Sequence, residues 1–170
     1  MVRVWDVWVR VGHWLLVLCI AVAWLTRHGG GEWHEWSGYG AVAIVAARIV
    51  WGFVGSSYAR FSEFVRGPKE VIAYAKDLRR RREQRYLGHT PLSGYMMIAL
   101  PSAVLSTGVS GWFYSTDRYW GVAWVGELHH SLADLLMLLV ALHIVGTLFA
   151  CYRNDENLVA AMVHGRKRLR

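Results

Sequence analysis

The sequence predicts an all-α membrane protein: an antiparallel four-helix transmembrane bundle with both termini cytoplasmic. Three observations carry that prediction. Of 170 residues, 55% are hydrophobic and only 18% charged, where an ordinary soluble domain has about a quarter charged. Four apolar runs are each long enough to cross a bilayer, which takes roughly 17 to 25 helical residues. The 19 Lys and Arg residues fall almost entirely at one side of those runs. Disorder, low complexity and a collagen-like repeat are excluded by the same composition. Cys19 and Cys151 lie in separate apolar runs, which argues against a disulfide framework or a metal knuckle.

The first span runs from about Val4 to Leu25 and the second from about His34 to Val54. The third runs from about Pro91 to Tyr114 and the fourth from about Leu128 to Tyr152, all within one domain of residues 1–170. No small-x-small cleavage site follows Thr26, so the first run is read as a span and not as a cleaved signal peptide. Arg3 and Arg10 precede or open the first span, the loop 55–90 carries nine basic residues, and the tail from Arg153 carries five. The other two loops hold only Arg27 and Arg118, and Arg48 lies within the second span. Basic loops stay on the cytoplasmic side, so the run Arg79, Arg80, Arg81, Arg82 is a topology signal and not a nucleic-acid site. Trp24, Trp33, Trp36, Trp112, Trp120 and Trp124 gather at the non-cytoplasmic ends and Trp5, Trp8 and Trp51 at the cytoplasmic ones, where amphipathic rings meet headgroups. Within the basic loop, residues 61–76 interleave apolar and charged positions and predict an amphipathic helix on the membrane surface.

Ionisable residues at membrane depth are costly enough to be functional candidates. His129 and His143 are fourteen residues apart on the fourth span. At about 100° and 1.5 Å per residue they return to within roughly 40° of one face, about 21 Å apart along the axis. One zinc ion cannot reach both, because its ligands lie about 2 Å away; two sites at different depths can use one each. His13, near the cytoplasmic start of the first span, is level with His143. His34, opening the second span on the outer side, is level with His129, which is a better partner than His130 because His130 points away from the His143 face. Opposed imidazoles on facing helices with apolar walls describe a six-coordinate b-type haem, so the sequence predicts two non-covalent haems, held by His13/His143 and His34/His129. No Cys-x-x-Cys-His string for covalent attachment is present. Glycines beside these positions, Gly12, Gly38, Gly40, Gly108, Gly111 and Gly146, suit either a flat macrocycle or ordinary helix packing. Arg48 lacks a carboxylate at its depth, so a propionate of the inner haem is its expected partner, with snorkelling to the headgroups as the alternative. Gly88-His89-Thr90-Pro91 reads as a helix start, with Thr90 as N-cap and Pro91 first in the helix. His89 is then just outside the span: a propionate, quinone-site or plain interfacial histidine, not an axial ligand.

These residues carry a family resemblance. Arg10-Val11-Gly12-His13-Trp14, His34-Glu35-Trp36-Ser37-Gly38-Tyr39, Arg48 through Trp51-Gly52, Leu87-Gly88-His89-Thr90-Pro91-Leu92, and Leu128-His129 with His143 fourteen on resemble the bacterial cytochrome b561 family, which includes the cytochrome b subunits of nickel-iron hydrogenases. The tail from Asn154-Asp155-Glu156-Asn157-Leu158 to His164-Gly165-Arg166-Lys167 extends the likeness to nearly the whole chain. Two departures are His129-His130 where the family has His-Glu, and Thr90 where it has Asn.

The resemblance implies a bacterial inner-membrane cytochrome with two b haems, ligated by His13, His34, His129 and His143, that exchanges electrons with the quinone pool. The expected activity is electron transfer between a periplasmic partner, a c-type cytochrome or a hydrogenase, and ubiquinone or menaquinone reacting near His89 and Arg48. An alternative, known among members of the resembled family, is oxidation of superoxide with reduction of ubiquinone, for which Arg27, Arg118 and His130 are the cationic candidates at the outer entrance. A cofactor-free scaffold is the third and weakest reading.

Overall fold

The computed structural model describes residues 2–29, 31–82, 84, 86 and 88–167. Leu87 of the Leu87–Leu92 string, and the basic residues Arg85, Arg168 and Arg170, lie outside them. The elements in order are β1 (Val2–Arg3), α1 (Val7–Thr26), α2 (Glu32–Val54), a single 3-10 turn (Ser57–Ala59), α3 (Phe61–Phe64), α4 (Pro68–Arg79), α5 (Pro91–Ser115), α6 (Ala123–Asn154), α7 (Leu158–His164) and β2 (Arg166–Lys167). Four of these, α1, α2, α5 and α6, are long and apolar enough to cross a membrane. Their surfaces explain why. Leu15, Leu18, Val50, Ile98, Leu138 and Phe149 are all exposed, and a helix apolar all round is stable only where its outer face meets lipid.

The boundaries differ from the sequence reading in three places. α1 begins at Val7 because Asp6 caps it, its Oδ1 accepting the Val9 amide at 2.8 Å, so the residues before it are free to form β1. α6 begins at Ala123, a turn earlier than Leu128, with Val125 and Gly126 buried in that turn. Its 32 residues extend about 48 Å, well beyond the roughly 30 Å hydrocarbon core. The amphipathic segment is broken in two: Gly67 is extended (φ −65°, ψ 154°) and Pro68 opens α4. Proline disfavours helix in the residue before it and fits the first helical position, so a continuous helix across 61–76 is excluded.

The residues separate into two compact units. The first holds the chain up to Arg10, Ile49–Ile98, and the chain from His143 onward. There, β1 pairs antiparallel with β2, Val2 opposite Lys167 and Arg3 opposite Arg166. Val4, Trp5 and Ala161 form a buried cluster with Val9, Tyr58 and Met162 against it. The amides of Val4 and Trp5 both donate to the Gly165 carbonyl, and the Arg10 guanidinium donates to the Val163 carbonyl. Gly165 ends α7 at φ 79°, a left-handed conformation that glycine adopts without the Cβ penalty. Asp6 Oδ2 accepts from Trp51 Nε1 at 3.0 Å and from Ser56 Oγ at 2.5 Å. Arg153 Nη2 reaches the Leu78 carbonyl in the last turn of α4 at 3.3 Å.

The second unit, Val11–Arg48 with Ala99–Leu142, is built differently. Its buried residues are small or apolar, among them Ala41, Val45, Ala103, Val104, Ser110, Val125, Gly126 and Leu136. A Cβ on Gly108 would run into Val42, so here the missing side chain lets α5 approach α2, the usual role of small residues between membrane helices.

Candidate functional site

His34, Gly38, Ala41, Val45 and Arg48 recur along α2 at three- and four-residue steps, which places them on one face. Ala41 and Val45 on that face are buried. On α6 the corresponding face carries His129, the buried Leu136, and His143. In the second unit the imidazoles of His34 and His129 stand with centroids 6.0 Å apart and planes at 87°.

Each ring of this pair is held from behind. His34 Nδ1 lies 2.9 Å from the Ala23 carbonyl of α1. His129 Nδ1 lies 3.1 Å from the Thr107 carbonyl of α5 and 3.1 Å from Ser110 Oγ. A carbonyl only accepts, so Nδ1 carries the proton in both rings, leaving each Nε2 as the lone-pair nitrogen available to a metal. Such backbone acceptors fix tautomer and ring orientation at metal-bound histidines. Space for the His129 ring comes from Gly111, where a Cβ would stand 2.9 Å from Cε1 and 3.2 Å from Nδ1.

The spacing tests whether one metal fits between them. A metal–imidazole nitrogen bond of about 2 Å on each side, with each ring centre roughly 1 Å beyond its nitrogen, gives centroids about 6 Å apart. The observed 6.0 Å agrees. Among the described residues no group of three or more His, Cys, Asp and Glu side chains could hold an ion. A pair of imidazoles is the kind of donor set that can ligate a haem iron.

The remaining sequence-predicted residues fall as follows. His130 is exposed, its centroid 6.1 Å from that of His129, so His129 is the histidine facing His34. His13 on α1, in the same unit, is half-buried with Trp14 edge-on at 5.2 Å. Arg48 is half-buried, its Nε and Nη1 shielded from solvent. His143 on α6, in the first unit, is half-buried. His89 sits between two aromatic rings of the first unit, Trp5 at 4.7 Å and Phe64 at 4.9 Å. Thr90 Oγ1 accepts the Ser93 amide at 3.2 Å and α5 starts at Pro91, the helix start its sequence predicts. Arg27 bonds the Trp24 carbonyl at 2.7 Å and lies 4.0 Å over the Trp24 ring, and Arg118 lies 5.7 Å over Tyr119. Both are engaged with their own helix end or loop.

Sequence reasoning missed Thr107 and Ser110. A hydroxyl or backbone carbonyl behind a histidine has no signature of its own, since small polar residues on a membrane helix read as packing. The available signal was Ser110-Gly111, a small polar residue and a glycine at the depth of His129.

A family model described as prokaryotic cytochrome b561 matches residues 4–165. No curated protein and no solved structure matches the chain.

Proposed function

The chain belongs to the prokaryotic cytochrome b561 family, and from that premise we propose that it carries electrons between a periplasmic redox partner and the membrane quinone pool using two haems b. Family membership and four membrane-crossing helices make it a multi-pass b-type cytochrome of electron transfer. The bacterial inner membrane, with both termini and the basic loop cytoplasmic, is the location the distribution of Lys and Arg supports.

The observation that carries the reading is the His34/His129 pair: two imidazoles 6.0 Å apart, each with Nδ1 against a backbone carbonyl. These two residues would hold the outer haem. His13 and His143, level with one another in the sequence reading, would hold the inner one, with Arg48 toward its propionates. Haem b, when bound, supplies a one-electron iron couple. The chain's own residues orient both ligand rings through the carbonyls of Ala23 and Thr107 and the Ser110 hydroxyl, and leave each Nε2 as the lone-pair nitrogen. A haem held by two imidazoles would offer no open coordination site to a small substrate, which favours electron relay over oxygen chemistry. Quinone would react toward the cytoplasmic side, around His89 and Arg48; the His89 ring lies beside those of Trp5 and Phe64. A c-type cytochrome or a hydrogenase is the expected periplasmic partner.

A pyridine haemochrome assay on the purified protein should give two b haems per chain, and a quinol analogue in liposomes should reduce both. A colourless protein after expression with ample haem supply would end the reading. Reduction of the haems by superoxide in the isolated protein, absent in a haem-free control, would move the assignment to superoxide oxidation with ubiquinone reduction.

A further inference from the structure

We propose that Ser110 and Gly111 of α5 are positioning residues for His129: Ser110 sets the electron-donating strength of the ring, and Gly111 admits it. The inference rests on the reading of His34 and His129 as haem ligands and deepens it.

The two rings of the pair are not held alike. His34 has one acceptor behind it, the Ala23 carbonyl at 2.9 Å. His129 has two, the Thr107 carbonyl and Ser110 Oγ, both at 3.1 Å. The Ser110 hydroxyl is not available as a donor to the ring, because it gives its proton to the Thr107 carbonyl at 2.9 Å. Its oxygen is therefore left facing the His129 N–H as an acceptor, and the three groups close a triangle in which one ring proton is shared between two oxygens. Ser110 is 5% exposed, so water does not compete for that proton, and a hydrogen bond there acts at nearly its full strength.

An acceptor on Nδ1–H draws the proton away and raises the basicity of the opposite nitrogen. A more basic axial imidazole stabilises the oxidised iron relative to the reduced one. The doubly accepted His129 should therefore hold the outer haem at a lower midpoint potential than the same ring with the Thr107 carbonyl alone. Gly111 acts sterically. A Cβ on Gly111 would stand 2.9 Å from Cε1 of His129, a distance real Cβ atoms essentially never show, and 3.2 Å from Nδ1, the atom the triangle holds. A methyl at this position must displace the imidazole from the place the triangle sets for it.

The test uses the full chain in four forms: the parent protein, Ser110→Ala, Ser110→Thr and Gly111→Ala. Haem content, an optical redox titration and low-temperature electron paramagnetic resonance are read for each, and His34→Ala identifies which midpoint belongs to the outer haem. Ser110→Ala should keep both haems and raise the outer midpoint alone. The reduced-to-oxidised ratio at the parent midpoint should then rise roughly two- to tenfold, the worth of one net hydrogen bond. Ser110→Thr, which keeps the hydroxyl, should return it toward the parent value. Gly111→Ala should take the haem count from two to one, with the remaining haem titrating as in the parent and so reporting an intact fold. An unchanged outer midpoint and resonance signal in Ser110→Ala, with full haem content in Gly111→Ala, would overturn this inference and leave the haem assignment standing. A parent protein without paired-imidazole resonance signals would overturn the assignment itself.

Discussion

The two units of the molecule are held together by different physics. In the first, termini and loops are fastened by directional bonds: Asp6 alone accepts from a backbone amide, an indole and a hydroxyl, and Lys167, 6% exposed, lies 5.4 Å over the Trp5 ring. In the second, many side-chain bonds close within a single helix or its end, such as Thr26 to the Val22 carbonyl and Ser37 to the Trp33 carbonyl, and helices meet through Ala, Val and Gly. Segments outside the bilayer must satisfy their own polar groups and gain from burying aromatic surface away from water. Helices in lipid have their backbone bonds already made and gain mainly from close packing. What sets His34 and His129 apart is that their ring bonds run between helices, from α2 to α1 and from α6 to α5.

Substitutions can separate the two. The largest expected effect is His129→Ala, which should remove one haem of two outright; loss of neither, by haemochrome assay, would break the assignment of the pair to a cofactor. Trp5→Ala deletes the centre of the first unit's cluster, and burial of this size is worth about 3–5 kcal/mol. Amide exchange in Val159–Lys167 should quicken while the outer haem spectrum stays as in the parent. A spectral change of the outer haem would show that the two units are less independent than their construction suggests. Asp6→Ala should cost about 1–2 kcal/mol, chiefly the lost cap, seen as a lower thermal midpoint in detergent with haem content unchanged.

Much of this was legible in the sequence because the signals are local. Span length, the belt of Trp residues and the one-sided Arg and Lys are properties of single segments, and the four candidate spans fall within a few residues of where composition places them. His34 and His129 could be matched by depth because both lie near the first residues of the spans the sequence predicts. What was not legible is non-local or aperiodic. Two-residue strands such as Val2–Arg3 have no alternation to detect, and their partners lie at the other end of the chain. The break at Pro68 was visible, yet the amphipathic pattern across it was the stronger signal to the eye. The rings packed beside His89 belong to Trp5 and Phe64, neither of which is near it in sequence.

The pairing of Val2 with Lys167 also has a consequence for biosynthesis. At about 5–20 residues per second on the ribosome, the first strand waits on the order of ten to thirty seconds for its mate. Every hydrophobic segment has left the exit tunnel or is leaving it by then. The leading basic residues are consequently unclasped while the insertion machinery reads their charge, and the closing of this last latch follows once orientation has been decided.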